Sequence, residues 1–168
     1  QEQAQLNPNA LGNAWLAKDI KQVATPNEEI DALTDFQPDS TAIVHEEFAD
    51  YLSGLAPTGN GSISLSSYAP NRLAYEAAVD GEQLAVFSEV WYGPDKGWQA
   101  YIDGQPVEHI RADYILRALR IPDGKHEIVF EFAPKSYEQG VLASRIFSTL
   151  ILLGLLGFIG YNGYQQRK

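Results

Sequence analysis

Apolar and polar positions alternate through the middle of the chain, and a period of two predicts β-strands. The run from Leu84 to Trp91 is almost continuously apolar, which is typical of a strand covered on both faces. Turn-forming pairs such as Asn60-Gly61 and Asp103-Gly104 separate the runs. The predicted strands cover 63–65, 73–79, 84–91, 98–102, 114–121 and 126–132. This pattern favours a mainly β fold, an antiparallel β-sandwich over 59–138.

A different pattern occupies residues 1–58, where we expect an exposed lead-in and a small α/β lobe. Thr25-Pro26-Asn27-Glu28 is a capping-box sequence with proline at the first helical position. It predicts a short helix through about Asp35, with Ile30 and Leu33 facing inward. A strand is predicted at 41–46.

The C-terminal part predicts one transmembrane helix at 141–164, because Ile146 to Tyr161 carries no charge. Residues 165–168 end in two basic residues and are expected to form a cytoplasmic tail, which places the preceding acidic domain outside. Glycines 154, 157 and 160 share one helix face and indicate contact with other transmembrane helices. The chain begins with Gln1 and contains no Met, so we expect a removed signal peptide or a longer parent protein.

Composition excludes several functions. The net charge of −10 argues against nucleic acid binding, and the absence of cysteine rules out disulfides and thiol chemistry. His45, His109 and His126 show no metal-ligand spacing, so we predict no metal and no cofactor. The pairs Glu28-Glu29 and Glu46-Glu47 are interpreted as solvated surface charge. No catalytic residue is predicted in the chain.

Four aromatic residues near one predicted loop are the candidate contact residues. They are Trp91, Tyr92, Trp98 and Tyr101. Three roles remain open for them: packing on the core, contact with the membrane or another subunit, and stacking on the apolar face of a sugar ring.

A series of short motifs follows between Ser88 and Gly140. They are Ser88-Glu89, Trp91-Tyr92, Gly97-Trp98, Asp103-Gly104, Arg117, Pro122 with Gly124 and His126, and Pro134. In this order they resemble the C-terminal region of the YfhO-type bacterial membrane proteins. That family is similar to the large multi-span, GT-C-like glycosyltransferases, which use polyprenyl-phosphate-linked sugars. The insertion Pro94-Asp95-Lys96 departs from the family pattern.

The resemblance implies an extracytoplasmic accessory domain and final helix of such an enzyme, in the bacterial cytoplasmic membrane and acting on cell-envelope glycans. The catalytic acidic residue of these enzymes is expected in an early loop that lies outside this chain. The parent protein is therefore the candidate enzyme, with the bilayer, neighbouring helices and an envelope glycan as expected partners. The alternative is a β-sandwich binding or structural module, anchored by a single span in an envelope protein complex.

Overall fold

The computed structural model describes Asn7 and residues 10–165, and this part of the chain has more residues in strands than in helices. The described residues up to Phe132 form one compact unit, and those from Ala133 onward form a second. The elements of the first unit are β1 (Ala14–Ala17), β2 (Asp19–Val23), α1 (Pro26–Ala32), β3 (Thr41–His45), a 3₁₀ turn (Glu46–Phe48), α2 (Ala49–Leu52), β4 (Gly61–Ala69), β5 (Arg72–Val79), β6 (Gln83–Val90), a second 3₁₀ turn (Pro94–Lys96), β7 (Trp98–Ile102), β8 (Gln105–Val107), β9 (Ile110–Ala112), β10 (Leu116–Ile121) and β11 (Gly124–Phe132). The mainly β fold predicted from the sequence is confirmed.

Two antiparallel sheets pack face to face in this unit. One has four strands in the order β1-β6-β10-β9, and the other has five in the order β4-β5-β11-β7-β8. The inward-facing side chains of both sheets form one core, which contains Leu16, Leu73, Tyr75, Ala77, Val79, Ala85, Phe87, Ala100, Ile102, Leu119, Ile121, Ile128 and Phe130. At its centre the Phe87 ring lies 4.9 Å from the Tyr75 ring and 4.8 Å from the Phe130 ring, both edge-to-face. Such pairs add to the stabilisation that area burial alone gives.

The N-terminal lobe covers the outer face of the four-stranded sheet. Its strands β2 and β3 are parallel and are connected through α1. Ala42, Val44 and Leu52 pack against Leu84 and Val86 of β6 in a second buried cluster. Strand β6 is therefore covered on both faces, which explains its nearly continuous apolar sequence.

Helix α1 begins as predicted but presents a different face to the protein. The Thr25 hydroxyl accepts a hydrogen bond from the Glu28 backbone N–H at 3.2 Å, and Pro26 occupies the first turn. Ile30, predicted to face inward, is 46% exposed, whereas Glu29 is fully buried. The prediction for Ile30 was wrong, as was the interpretation of Glu29 as solvated surface charge. Glu29 is buried because its carboxylate has partners in the sheet, which are described below.

The strand predicted at 114–121 begins only at Leu116. Asp113 and Tyr114 have φ angles of 48° and 70°, a left-handed conformation that a strand does not contain. Short strands β1, β2, β8 and β9 were not predicted, because runs of three to five residues show too little periodicity to be recognised.

The sandwich has two distinct ends. One, which we call the Phe132 end, contains the turn between β4 and β5, the end of β6, the starts of β7 and β10, and the end of β11 at Phe132. The opposite end, which we call the Gly124 end, contains the turns from β5 to β6 and from β10 to β11. The chain leaves the sandwich at Phe132.

The second unit is a helix, α3 (Lys135–Gln165), of 31 residues. Its segment Gln139–Ile159 has a mean hydropathy of 2.0. These 21 residues rise about 31 Å, close to the thickness of a bilayer core. Its large apolar side chains, from Ile146 to Ile159, are all more than half exposed. The predicted tail reaches beyond the described residues, since 166–168 lie outside them.

Truncating Phe87 tests the inter-sheet core. We expect Phe87→Ala to lower the free energy of unfolding by about 3–5 kcal/mol, because it removes a fully buried ring and leaves a cavity between Tyr75 and Phe130. Urea unfolding followed by tryptophan fluorescence measures the change. The exposed Tyr68→Ala is the control and should shift stability by less than about 0.5 kcal/mol. Equal losses in the two variants would contradict this description of the core.

Candidate functional site

The four candidate aromatic residues do not form one cluster. Among the described residues, the ring of Trp91 contacts Phe48 and the ring of Trp98 contacts Phe132, and none of the four rings contacts another. Trp98 and Tyr101 both belong to β7 but point to opposite faces of the sheet, because side chains alternate along a strand. The four residues therefore occupy different environments.

Trp91 packs against the lobe, and Tyr92 faces solvent. The Trp91 ring lies 6.2 Å from the Phe48 ring in an edge-to-face arrangement, and its backbone N–H donates to the Ile115 carbonyl at 2.7 Å. The Tyr92 side chain, one residue later, is about half exposed. Packing thus fixes Trp91, whereas Tyr92 is presented outward.

Trp98 covers a buried arginine, and we call this group the Arg117 centre. The guanidinium of Arg117 lies 4.1 Å from the centre of the Trp98 ring and 5.2 Å from that of Phe130. Its Nε donates to the Val90 carbonyl at 3.0 Å. Burial lowers the pKa of Arg117, while the nearby Glu89 carboxylate raises it. The guanidinium stays charged, because its ordinary pKa is far above neutrality.

His109 completes this centre from the loop before β9. Its Nε2 lies 3.2 Å from the Tyr92 carbonyl, and its ring packs edge-to-face on Phe130 at 5.7 Å. Burial lowers the pKa of His109, so the neutral ring donates its Nε2–H to that carbonyl. His109 Nδ1, Tyr75 OH and Arg117 Nη1 are buried and have no hydrogen-bond partner among the described residues. The Arg117 centre thus holds the last residue of β6 and the loop that follows it, each through a backbone carbonyl, while three buried polar groups around it have no partner among the described residues.

A second histidine, His126, connects two turns near the Gly124 end through its ring nitrogens. His126 Nδ1 lies 2.7 Å from the Asp103 carboxylate, and His126 Nε2 lies 3.2 Å from the Asp123 carbonyl. The hydrogen bond raises the pKa of His126 and lowers the pKa of Asp103. Asp103 and Gly104 both have positive φ, as a tight hairpin turn requires. The Asp-Gly and Pro-x-Gly-x-His motifs therefore meet in one structural contact.

The outer face of the five-stranded sheet is open and polar. A shallow groove crosses it, and its polar lining includes Ser62, Ser64, Glu76, Lys125 and Glu127. Tyr101 lies on the same face one strand further along, opposite Val129 of β11. Hydroxyl and carboxylate groups beside an aromatic ring can bind a polyol, through hydrogen bonds to its hydroxyls and contact with its CH groups.

No pattern in the sequence indicated the acidic joint, the name we give to the buried carboxylates of Glu29 and Asp113 between lobe and sheet. Glu29 Oε1 accepts from the Tyr114 N–H at 3.0 Å, and Glu29 Oε2 lies 3.1 Å from Arg111 Nη1 without an aligned hydrogen bond. The Asp113 carboxylate accepts from the Ile43 N–H at 2.8 Å, and the Asp113 N–H donates to the Ile43 carbonyl at 2.7 Å. The left-handed backbone at 113–114 points these groups toward the lobe. The burial of Glu29 is what identifies the joint, and burial of a glutamate cannot be recognised from the sequence.

The three histidines occupy separate structural contacts. His45, His109 and His126 each use a ring nitrogen in a turn or loop contact, as given for His109 and His126 above and through the Glu47 N–H at 3.2 Å for His45. No group of three or more metal-ligating side chains occurs in the part of the chain that the structure describes.

The comparison with protein families gives one finding. The model of the family described as bacterial membrane protein YfhO matches residues 58–144, just over half of the chain. The match begins after the lobe, covers strands β4 to β11 and reaches into α3. No curated protein and no solved structure matches the chain.

The acidic joint should make stability depend on pH through Asp113. Burial raises the pKa of Asp113 from 3.8 to about 6, and the Glu29 charge adds to this. A raised pKa means that the contribution to stability is complete below pH 3.8 and is lost as the pH rises through about 6. Asp113→Asn keeps the acceptor for Ile43 and removes the charge, so at pH 7.5 it should be more stable than the wild type by about 1–3 kcal/mol.

Urea unfolding at pH 4.5 and 7.5 checks this expectation. The difference between variant and wild type should be small at the lower pH and should grow at the higher one. The exposed Asp39→Asn serves as the matched control and should show no such growth. An Asp113→Asn variant that is less stable than the wild type at both pH values would contradict the destabilising effect expected of the buried Asp113 charge.

Proposed function

Because the chain belongs to the YfhO family of bacterial membrane proteins, we propose that it supplies a glycosyltransferase with two parts. The sandwich is the extracytoplasmic accessory domain, and α3 is the final membrane helix. The parent enzyme transfers sugars from polyprenyl-phosphate donors to cell-envelope glycans. The carrying observation is the family match to a sandwich that is followed directly by a candidate span.

The role of the sandwich in this proposal is to position the acceptor glycan. The open face supports this role, because it places Tyr101 on the same side of the sheet as the hydroxyls of Ser62 and Ser64 and the carboxylate of Glu76. Sugars bind to such faces by stacking a CH surface on the ring and donating hydroxyl protons to carboxylates. Trp91 and Trp98 support the fold in this scheme, since both pack on neighbouring side chains.

The distribution of charge supports the proposed orientation of the chain. The chain has a net charge of −10, and its two terminal residues are basic. Basic residues next to a span are retained on the cytoplasmic side, so the sandwich is outside the bacterial cytoplasmic membrane and the C-terminus is inside.

Cysteine labelling tests this orientation directly, because the chain has no native cysteine. We expect Lys125→Cys, on the exposed sandwich surface, to react with a membrane-impermeant maleimide in intact cells whose outer layers admit the reagent. Asn162→Cys lies after the candidate span and should react only after the membrane is permeabilised. The reverse pattern would refute the extracytoplasmic placement.

Tyr101 tests the acceptor-binding face. We expect Tyr101→Ala in the parent protein to raise the acceptor KM about fivefold to tenfold, because one aromatic contact contributes about 1 kcal/mol. Sugar transfer from a polyprenyl-phosphate donor to envelope acceptor in isolated membranes gives the measurement. Glu76→Gln should act in the same direction, and the exposed Gln105→Ala is the control.

Two results would contradict the proposal in different ways. Unchanged kinetics in both the Tyr101 and Glu76 variants would exclude this face as the acceptor site. Absence of any transfer by the wild-type parent, with glycan binding retained and sensitive to Tyr101→Ala, would instead favour the anchored binding module.

A further inference from the structure

The exposed large apolar side chains of the sandwich unit are concentrated at one place. Among the described residues up to Phe132, six large hydrophobic side chains are more than 40% exposed. Ile30 belongs to α1, and the other five lie at the Phe132 end: Tyr68, Val90, Tyr92, Ile115 and Phe132. The concentration of these side chains at one end marks a contact surface.

Backbone pairing places three of these residues next to each other. Val90 is opposite Leu116 in the sheet, and the Trp91 N–H donates to the Ile115 carbonyl at 2.7 Å. Val90, Tyr92 and Ile115 therefore protrude from adjoining backbone segments. The Arg117 centre lies directly beneath, because Arg117 Nε holds the Val90 carbonyl and His109 holds the Tyr92 carbonyl. These two hydrogen bonds thus hold the backbone that carries the protruding side chains.

The covalent chain limits what this end can face. Six residues separate Phe132 from Gln139, where the candidate span begins, so the two are at most about 25 Å apart even when that segment is fully extended. The Gly124 end lies at the other end of the nine-residue strand β11, about 30 Å from Phe132. The Phe132 end is therefore the end of the sandwich at which the covalent link to the candidate span begins.

Among the described side chains, Arg72 and Lys96 at this end are already paired, which disfavours an acidic protein partner. The basic side chains of Arg72 and Lys96 at this end are paired with Glu127 at 3.8 Å and Asp95 at 2.9 Å. Glu131, next to Phe132, is also exposed, so the attraction of this end for a lipid surface comes from apolar and aromatic contact. Tyrosine and phenylalanine suit the interface between headgroups and acyl chains.

We propose that the Phe132 end of the sandwich is a bilayer-contact surface, in which Tyr92, Ile115 and Val90 insert into the interfacial layer of the outer leaflet. The contact fixes the height of the open sheet face above the membrane. It depends on α3 being a membrane span and not on the glycosyltransferase activity. Anionic lipid should not strengthen the contact, because the basic side chains of Arg72 and Lys96 at this end are already paired with carboxylates.

Site-directed spin labelling of the full chain, reconstituted in phosphatidylcholine vesicles, tests the proposal. Labels at Tyr92→Cys and Ile115→Cys should be severalfold more accessible to oxygen, relative to a water-soluble nickel chelate, than a label at Gln105→Cys, an exposed position at the start of β8. Adding anionic lipid should not raise these ratios. The label at Ile115→Cys is then measured with Tyr92→Asp in the same chain. The charge of Tyr92→Asp should make the neighbouring label at position 115 accessible to the nickel chelate. This result would show that the protein surface inserts into the bilayer, and not the label alone.

Three outcomes would overturn the proposal. Equal nickel accessibility at all three sites would mean that this end is in water. Protection of positions 92 and 115 from both reagents would mean that another protein segment covers them. Lipid exposure of the label at position 115 that survives Tyr92→Asp would mean that the label partitions by itself. None of these outcomes bears on sugar transfer, so failure here leaves the proposed function standing.

Discussion

Burial of β6 on both faces is the constraint on which the remaining structure depends. Its inner face supplies Ala85 and Phe87 to the core between the sheets, and its outer face supplies Leu84 and Val86 to the cluster under the lobe. A strand of this kind exposes a large apolar area unless both layers are present, so the lobe and the second sheet stabilise each other through it. The loop that follows β6 therefore starts from a fixed position, and the hydrogen bonds of the Arg117 centre hold the loop in place.

The features that could be predicted are those with a strong local pattern. The alternation of β5 and β11, the continuous apolar run of β6 and the capping sequence at Thr25 each specify one element almost independently of context. Glu29, Asp113 and Tyr114 show the limit of such reasoning. A short helix with one buried carboxylate has no apolar stripe by which its inner face could be recognised. The left-handed backbone of the non-glycine residues Asp113 and Tyr114 is determined by hydrogen-bond partners that are distant in the chain.

Prediction of the candidate site from the sequence met the same limit. Trp91, Tyr92, Trp98 and Tyr101 are close in sequence, and the sequence offered packing, membrane contact and glycan contact as alternatives for all four. The alternation of β7 and the path of the preceding loop give each residue its own surroundings, so a single role does not have to apply to all four. Spacing in sequence could not reveal this, because one residue of register reverses the face that a side chain occupies.

The boundary of the family match has a consequence for how this protein can be recombined or cut. The matched segment starts at residue 58, yet strand β1, which forms the edge of the four-stranded sheet beside β6, ends at Ala17. The partners of Asp113 and Tyr114, namely Ile43 and Glu29, also precede the segment. The segment that the family model recognises therefore leaves out part of the unit that folds. A shuffled or trimmed gene must carry the upstream strand and lobe along, or it yields a sheet with an open edge.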